Sequence, residues 1–340
     1  MASTRISEQL PPMLDPTKAP VAFGNRALPR LSMELQDPDL YTRQRALAAL
    51  CALVHNPERA YEAVEKGILE RLKVLLKDKD SYVRTKTTEV IYLMVTHNVG
   101  RDAFLKYDMV GPLSELLNEP VDVCRINVHR ALKMLAQFPA GATCIVGQGL
   151  VTQLVTKVPM EEEEIRAILL ETLSCLVRVD AMPALHSDGV ATLKEQLQSL
   201  SLPIRRAAAS AMLGISVPTD GKQRVCDEGV LPILVDLLSD DDAEVWASAA
   251  GTIMNTAVIT KGKYEALKAG AIPALLHLVQ CEERAVCVNA LRALTCLAEA
   301  PVARVELMEH LPLLRICLSH KEPIIQRAAD TAIRVISWKP

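Results

Sequence analysis

Cysteine and histidine are the residues of this chain with the most reactive side chains. Nine cysteines (Cys51, Cys124, Cys144, Cys175, Cys226, Cys281, Cys287, Cys296 and Cys317) and seven histidines (His55, His97, His129, His186, His277, His310 and His320) could supply a zinc site. They could equally supply a thiolate nucleophile with an imidazole base. Their spacing supports neither. No two cysteines form a CxxC pair. Cys124 and His129 stand five apart, off the step of three or four that places two ligands on one helix face. Cys281 and Cys287 have no third partner nearby. There is no GxxxxGK[ST], HExxH or GxSxG. Gly147-Gln148-Gly149 is too short for a dinucleotide fingerprint, and it precedes a helical pattern where that fingerprint follows a strand. The expectation is a non-enzyme with no cofactor and no metal. An odd number of cysteines, set mostly in apolar helical patterns, reads as buried free thiols in a reducing compartment.

The elements that must position these side chains are helical. Half of the 340 residues are hydrophobic but only 3% are aromatic. The apolar content is Leu, Ala and Val, of which Leu and Ala favour helix and Val is tolerated there. Twenty prolines and fourteen glycines spread along the chain divide it into many short helices. A net charge of −3 argues against a nucleic-acid partner. No apolar run approaches the 18 or so residues that span a bilayer. The opening MASTRISEQLPP lacks the apolar core of a secretory signal. The chain therefore reads as soluble and intracellular, with no membrane partner and no small-molecule substrate.

The phrase GVLPILVDLL at Gly229 recurs as GAIPALLHLV at Gly270, GILERLKVLL at Gly67 and GLVTQLVTKV at Gly149. Weaker copies begin at Arg26, Asp108, Gly189 and Glu309. The starts near 26, 67, 108, 149, 189, 229, 270 and 309 are 39 to 41 residues apart. Five residues into the copies stand Leu31, Leu72, Leu113, Leu154, Leu234, Leu275 and Leu314, with Leu193 slipped by one in the fifth. Twenty-four residues in stand Leu50, Ile91, Leu132, Leu173, Ile253, Leu294 and Ile333, with Met212 slipped likewise. Around them apolar residues fall three or four apart, as on a helix face. Each unit predicts a short helix, a glycine turn, a second helix, a loop and a longer third helix. The turn glycine suits a left-handed backbone. Stacked neighbours then bury an apolar face that one unit cannot bury alone. The domain expectation is a Pro-rich extended segment over 1–25 and one repeat array over 26–340.

Three helices at this period, with AAGTIMNTA closing one third helix, resemble armadillo repeats. Ala249, Ala250, Gly251, Ile253, Asn255 and Ala257 carry the likeness. The resemblance implies an all-α, armadillo/HEAT-type right-handed superhelical solenoid of about eight three-helix repeats.

A charge column runs through the copies. Seventeen residues in stand Arg43, Arg84, Arg125 and Arg166, with Arg205 slipped by one, and then Trp246, Cys287 and Gln326. Four residues earlier stand Asp39, Asp80, Glu162, Asp242, Glu283 and Glu322. An acid at a helix start caps free N–H groups and complements the dipole. An arginine four later pairs with it, or with the acid of the adjacent repeat. Glu161–Glu164 and Asp240–Asp242 read the same way, as first-turn acids and not as metal sites.

Peptide-gripping armadillo proteins carry an asparagine on successive third helices and a tryptophan one turn before it. Here the asparagine column reads Ala52, Leu93, Met134, Cys175, Gly214, Asn255, Cys296 and Val335. The tryptophan column reads Ala48, Glu89, Arg130, Glu171, Ser210, Gly251, Arg292 and Thr331. Only Asn255 fits, and Trp246 belongs to the charge column. Asn255 is expected to satisfy a local backbone group. The candidate partner-binding groove is therefore mixed in charge: Glu89, Arg130, Glu171, Asn255 and Arg292. Such a surface suits one folded partner better than extended peptides.

At the ends, LPPMLDPTKAPVAFGNRALPRL is punctuated by proline and reads as extended. It would either cover the exposed face of the first repeat or order on a partner. Trp338, in the closing VISWKP, would cover the open end of the last repeat. The blocks TKAPVAFGNRALPRL, TRQRALAALCALVHNPERAYEAVEKGILERLKVLLKD, VRTKTTEVIYLM and KGKYEAL, with VISWKP, resemble the armadillo-repeat component of the radial spokes of motile cilia and sperm flagella. That resemblance implies a non-catalytic scaffold in the axoneme that docks other radial spoke proteins and axonemal components. The alternative is a soluble armadillo adaptor or transport receptor binding peptide segments of its partners.

Overall fold

Leu- and Ala-rich segments with apolar residues three and four apart fold as helices that hide one stripe each. In a computed structural model of the chain, which describes residues 27–338, every regular element among those residues is helical. The chain divides into two compact units between Cys144 and Ile145.

The first unit opens on α1 (Ala27–Glu34) and α2 (Leu40–Leu53). A full triplet follows: α3 (Pro57–Glu65), α4 (Ile68–Leu75) and α5 (Ser81–Val95). The next is α6 (Asn98–Lys106), α7 (Val110–Ser114) with a 3-10 turn at Glu115–Asn118, and α8 (Asp122–Ala136). The third helices stack, α2 on α5 and α5 on α8. Helix α9 (Pro139–Gly147) runs across the division.

The second unit continues with α10 (Leu150–Lys157), a 3-10 turn at Val158–Met160 and α11 (Glu163–Leu176). Three triplets follow. They are α12 (Met182–Leu185), α13 (Gly189–Leu197) and α14 (Leu202–Ile215); α15 (Thr219–Asp227), α16 (Leu231–Leu237) and α17 (Ala243–Thr256); and α18 (Thr260–Lys268), α19 (Ala271–Leu278) and α20 (Arg284–Leu297). The last is α21 (Pro301–Met308), α22 (Leu311–Ile316) with a 3-10 turn at Cys317–Ser319, and α23 (Pro323–Ile336). Here α11 packs on α14, α14 on α17, α17 on α20 and α20 on α23.

The column five residues into each copy is buried throughout, from Leu31 to Leu314. Truncating one of these, such as Leu72, to alanine would cost about 2–5 kcal/mol through lost transfer energy and the cavity left behind. The column from Leu50 to Leu294 is buried as well, and only Ile333 in the final triplet is partly exposed. Leu35, Leu76, Leu117, Val158, Leu197, Leu238 and Val279 share another position and are at most 3% exposed. Its last member, Leu318, is 41% exposed, with no further triplet after it among the described residues. Trp338 does not take that place. It is 57% exposed, with the Arg304 guanidinium 5.1 Å from its ring centre.

The turns between first and second helices explain the slipped fifth copy. Gly67, Gly149, Gly229 and Gly270 adopt left-handed backbone, with φ between 63° and 78°. Asp108 and Asp188 hold the same conformation at φ 49° and 55°. Aspartate tolerates this region better than most residues. The turn of the fifth copy thus falls on Asp188, one residue before Gly189, and Leu193, Arg205 and Met212 drop into register. Gly189 lies inside α13, where an added Cβ would come within 2.5 Å of the Ala184 carbonyl oxygen. The Pro-rich segment 1–25 lies outside the described residues.

Candidate functional site

Third helices begin at a loop whose carbonyls have no helical partner, and the charge column satisfies them. Arg43 donates through Nη1 to the carbonyls of Asp37 and Pro38, both at 2.9 Å. Arg84 does the same to Asp78 and Lys79 at 2.8 and 3.0 Å, and Arg205 to Ser199 and Leu200 at 3.0 Å each. Arg125 donates to Glu119 O at 2.8 Å and Arg166 to Glu161 O at 2.9 Å. Two of the three residues that break the arginine series keep the bond, Trp246 Nε1 donating to Asp240 O and Gln326 Nε2 to His320 O at 2.6 Å. The third, Cys287, reaches past the loop, its Sγ donating to Val279 O at the end of α19 at 3.1 Å. Trp246 is therefore a loop clamp in the arginine position.

The outer edge of three arginines reaches the next repeat. Arg43 meets Asp78 at 3.0 Å, Arg84 meets Glu119, and Arg205 meets Asp240 at 2.8 Å. The acids lie two residues before the cap column, so the arginine does not pair with the cap of its own helix. In Asp37-Pro-Asp39, Asp78-Lys-Asp80 and Asp240-Asp-Asp242 the two acids divide the work. The first accepts the backbone N–H of the second, at 2.8, 2.9 and 3.1 Å. The second caps the third helix, accepting from Thr42, Val83, and both Glu244 and Val245. The preceding repeat also holds this cap, Gln44 on Asp80 at 3.1 Å and Arg206 on Asp242 at 2.5 Å. Glu162, Glu283 and Glu322 occupy the cap position without a side-chain cap bond. Glu161 is buried and paired with Lys157 at 2.9 Å.

Asparagines on the third helices face inward in the same way. Asn255 Nδ2 donates to Ser216 Oγ at 3.0 Å and Leu213 O at 3.5 Å, both one repeat back. Asn127 reaches Thr85 O at 3.4 Å and Asn289 reaches Ala247 O at 2.8 Å. The amide of Asn255 is thus engaged in holding α17 to α14.

With this geometry in place, the comparisons with known proteins are specific. The Armadillo/beta-catenin-like repeat family matches at residues 218–257 and 260–298, the triplets α15–α17 and α18–α20. This chain carries armadillo repeats. It is also 25% identical over 350 aligned positions to Radial spoke protein 14 of Chlamydomonas reinhardtii, a match covering 97% of this chain and 90% of that protein. Two crystal structures of engineered proteins from the Northeast Structural Genomics Consortium share the fold. One superposes with a TM-score of 0.86 at 23% identity, covering 92% of this chain and 79% of the other. The second gives 0.63 at 24% identity, covering 67% and 96%. They support the all-α armadillo solenoid class.

The five groove candidates all lie on third helices of these armadillo triplets. In the first unit Glu89 on α5 pairs with Lys86 at 2.7 Å, and the Arg130 guanidinium on α8 lies 5.9 Å from the Tyr92 ring centre. In the second unit Glu171 lies on α11, Asn255 on α17 and Arg292 on α20. Arg292 is exposed and makes no hydrogen bond or ion pair among the described residues.

The thiols are free, and most are hard to ionise. Burial pushes Cys51 up to about 12 and Cys226 up to about 11. It raises Cys124, Cys144 and Cys296 as well. Such thiols make poor nucleophiles at neutral pH. Cys124 lies 3.6 Å from Thr88 Oγ1, with His129 buried on the same helix. No group of three His, Cys, Asp or Glu side chains among the described residues could hold a metal ion. No described helix is long and apolar enough to cross a membrane.

Sequence reasoning missed the pairing acids Asp78, Glu119 and Asp240. For Asp78 and Asp240 the signal was present in the recurring D-x-D, which provides two carboxylates where a helix start needs one; Glu119, in Glu119-Pro120-Val121, carries no such signal.

Proposed function

We propose that this armadillo chain is a non-catalytic scaffold subunit of axonemal radial spokes, where it docks other spoke proteins and supports ciliary and flagellar motility. The observation that carries the reading is the match to Radial spoke protein 14 along 97% of this chain and 90% of that protein. The relationship spreads over almost the full length of both chains, which supports a common role.

The ladder of loop clamps supports it. Side chains such as Arg43, Arg84, Arg205, Arg206 and Asn255 on the third helices hold one repeat to the next within each unit, which favours a packed scaffold over a reactive cleft. Close-packed interiors transmit strain with little compression. The partner-facing row in this proposal is Glu89 and Arg130 in one unit, and Glu171 and Arg292 in the other, while Asn255 beside them is turned to the preceding repeat. Arg292 is the member best placed to meet a carboxylate on a partner, because its guanidinium is exposed and unpaired among the described residues. The internal bonds of Asn255 weigh against a soluble adaptor gripping peptide backbone. In this reading the protein resides in the axoneme and has no nucleic-acid, membrane or small-molecule partner.

The test is extraction of motile cilia. The protein should stay with the axoneme after detergent and leave only under the salt that strips radial spokes. Release with the soluble matrix would refute the assignment.

A further inference from the structure

The geometry points to Cys287 and Cys317 as a redox modification site, a dithiol that closes to a disulfide joining α20 to the turn after α22. The two sulfurs share one acceptor. Cys287 Sγ donates to Val279 O at 3.1 Å, and Cys317 Sγ to the same oxygen at 3.5 Å. Val279 is the residue that ends α19, so both thiols converge on one helix terminus from different repeats. Each thiol also shifts the ionisation of the other. No other two cysteines among the described residues share an acceptor in this way.

The two sulfurs are not equivalent. The Cys287 thiol can turn its single proton from Val279 O toward a Cys317 thiolate, which lowers Cys317 from the ordinary thiol range, while its neighbour and burial raise Cys287. Cys317 is therefore the thiol that ionises first and the attacking group. It sits in the three-residue 3-10 turn Cys317–Ser319 at the edge of the unit, between Ile316 at 63% exposure and Leu318 at 41%. Short turns with exposed neighbours open locally at low cost. Opening this one brings the 6%-exposed Cys317 to solvent while Cys287, at 1%, stays in the core.

With hydrogen peroxide as oxidant, the Cys317 thiolate attacks one peroxide oxygen, the O–O bond breaks and hydroxide leaves. Cys317 becomes a sulfenic acid. The Cys287 sulfur then attacks the Cys317 sulfur, an S–S bond forms and water leaves. Two thiols lose two electrons and two protons, and one peroxide becomes two waters. The bond would fasten the final triplet to the one before it. It would also free the Val279 carbonyl from both of its thiol donors. This inference is independent of the spoke assignment.

The full-length reduced protein, titrated with hydrogen peroxide, alkylated and digested without reductant, tests it by mass spectrometry. The first intramolecular disulfide should link the peptides bearing Cys287 and Cys317. It should vanish in Cys287→Ser and in Cys317→Ser and persist in Cys281→Ser. If Cys287 and Cys317 are both recovered as alkylated thiols after other cysteines have oxidised, the pair serves only to cap α19 and the inference fails. A first disulfide between Cys281 and Cys287 would overturn it too. Should a serine variant fail to fold, the wild-type peptide map decides alone.

Discussion

Arg84 and Glu119 meet across a repeat boundary through two parallel hydrogen bonds, Nε to Oε2 at 3.0 Å and Nη2 to Oε1 at 2.5 Å. The carboxylate is 7% exposed and the guanidinium 19%, and Arg84 also clamps its own loop through Nη1. Both partners belong to the first unit, so one residue closes a loop and joins two repeats. Removing the arginine leaves a buried carboxylate unpaired, which costs about 3 kcal/mol or more. Arg84→Ala should lower the urea midpoint strongly. Glu119→Ala should cost less, and the double variant less than the sum of both. Additive single effects in that cycle would show that the rung carries no coupling. Lysine at position 84 should not rescue it, because an ammonium cannot reproduce the planar fork.

Trp246 performs the arginine's local task with an indole N–H. Trp246→Arg should therefore fold with little loss, while Trp246→Phe removes the bond to Asp240 O and costs about 1 kcal/mol. Thermal unfolding followed by circular dichroism would rank them. A phenylalanine variant as stable as wild type would mean that the ring packs without needing its donor.

Much of this was legible in the sequence. The period of about 40 residues, the leucine columns and the all-helical class follow from spacing alone, because stacking forces the same apolar positions in every copy. The cap reading holds where the residue is aspartate, at Asp39, Asp80 and Asp242, and lapses where the longer glutamate replaces it. The pairing acid was harder to see. Arg43 and Asp78 are 35 residues apart, and only the stacked third helices bring them within 3.0 Å. The convergence of Cys287 and Cys317 on one carbonyl was equally out of reach, since no sequence period relates them.

The turn residues give a backbone prediction. At Gly270, φ is 78° and an added Cβ would meet nothing within 4 Å. Gly270→Ala should still cost about 1–2 kcal/mol, entirely from the left-handed backbone. Asp188→Gly, at φ 55°, should be neutral or stabilising. Chemical denaturation measures both, and an unaffected Gly270→Ala would contradict the assigned turn.

Acid should loosen the ladder. The Arg206 guanidinium beside Asp242 holds its carboxyl below the ordinary 3.8, partly opposed by burial and aided by the Val245 N–H. A depressed carboxyl stabilises the fold above its unfolded value, and that contribution disappears as pH falls through the folded value. Asp242→Asn keeps the cap but removes the charge. It should be less stable than wild type at neutral pH, and the gap should close below about pH 4. A gap that stays constant from pH 7 to pH 3 would show that the charge contributes nothing.

Membership of the radial spoke is open to cross-linking mass spectrometry on intact, detergent-washed axonemes. Lys86 on α5 and Lys133 on α8 provide amine-reactive positions on third helices. Cross-links from these lysines should reach radial spoke proteins and weaken together when Arg292→Glu replaces the native chain. Cross-links only to transport or soluble matrix proteins, with none to the spokes, would contradict that membership.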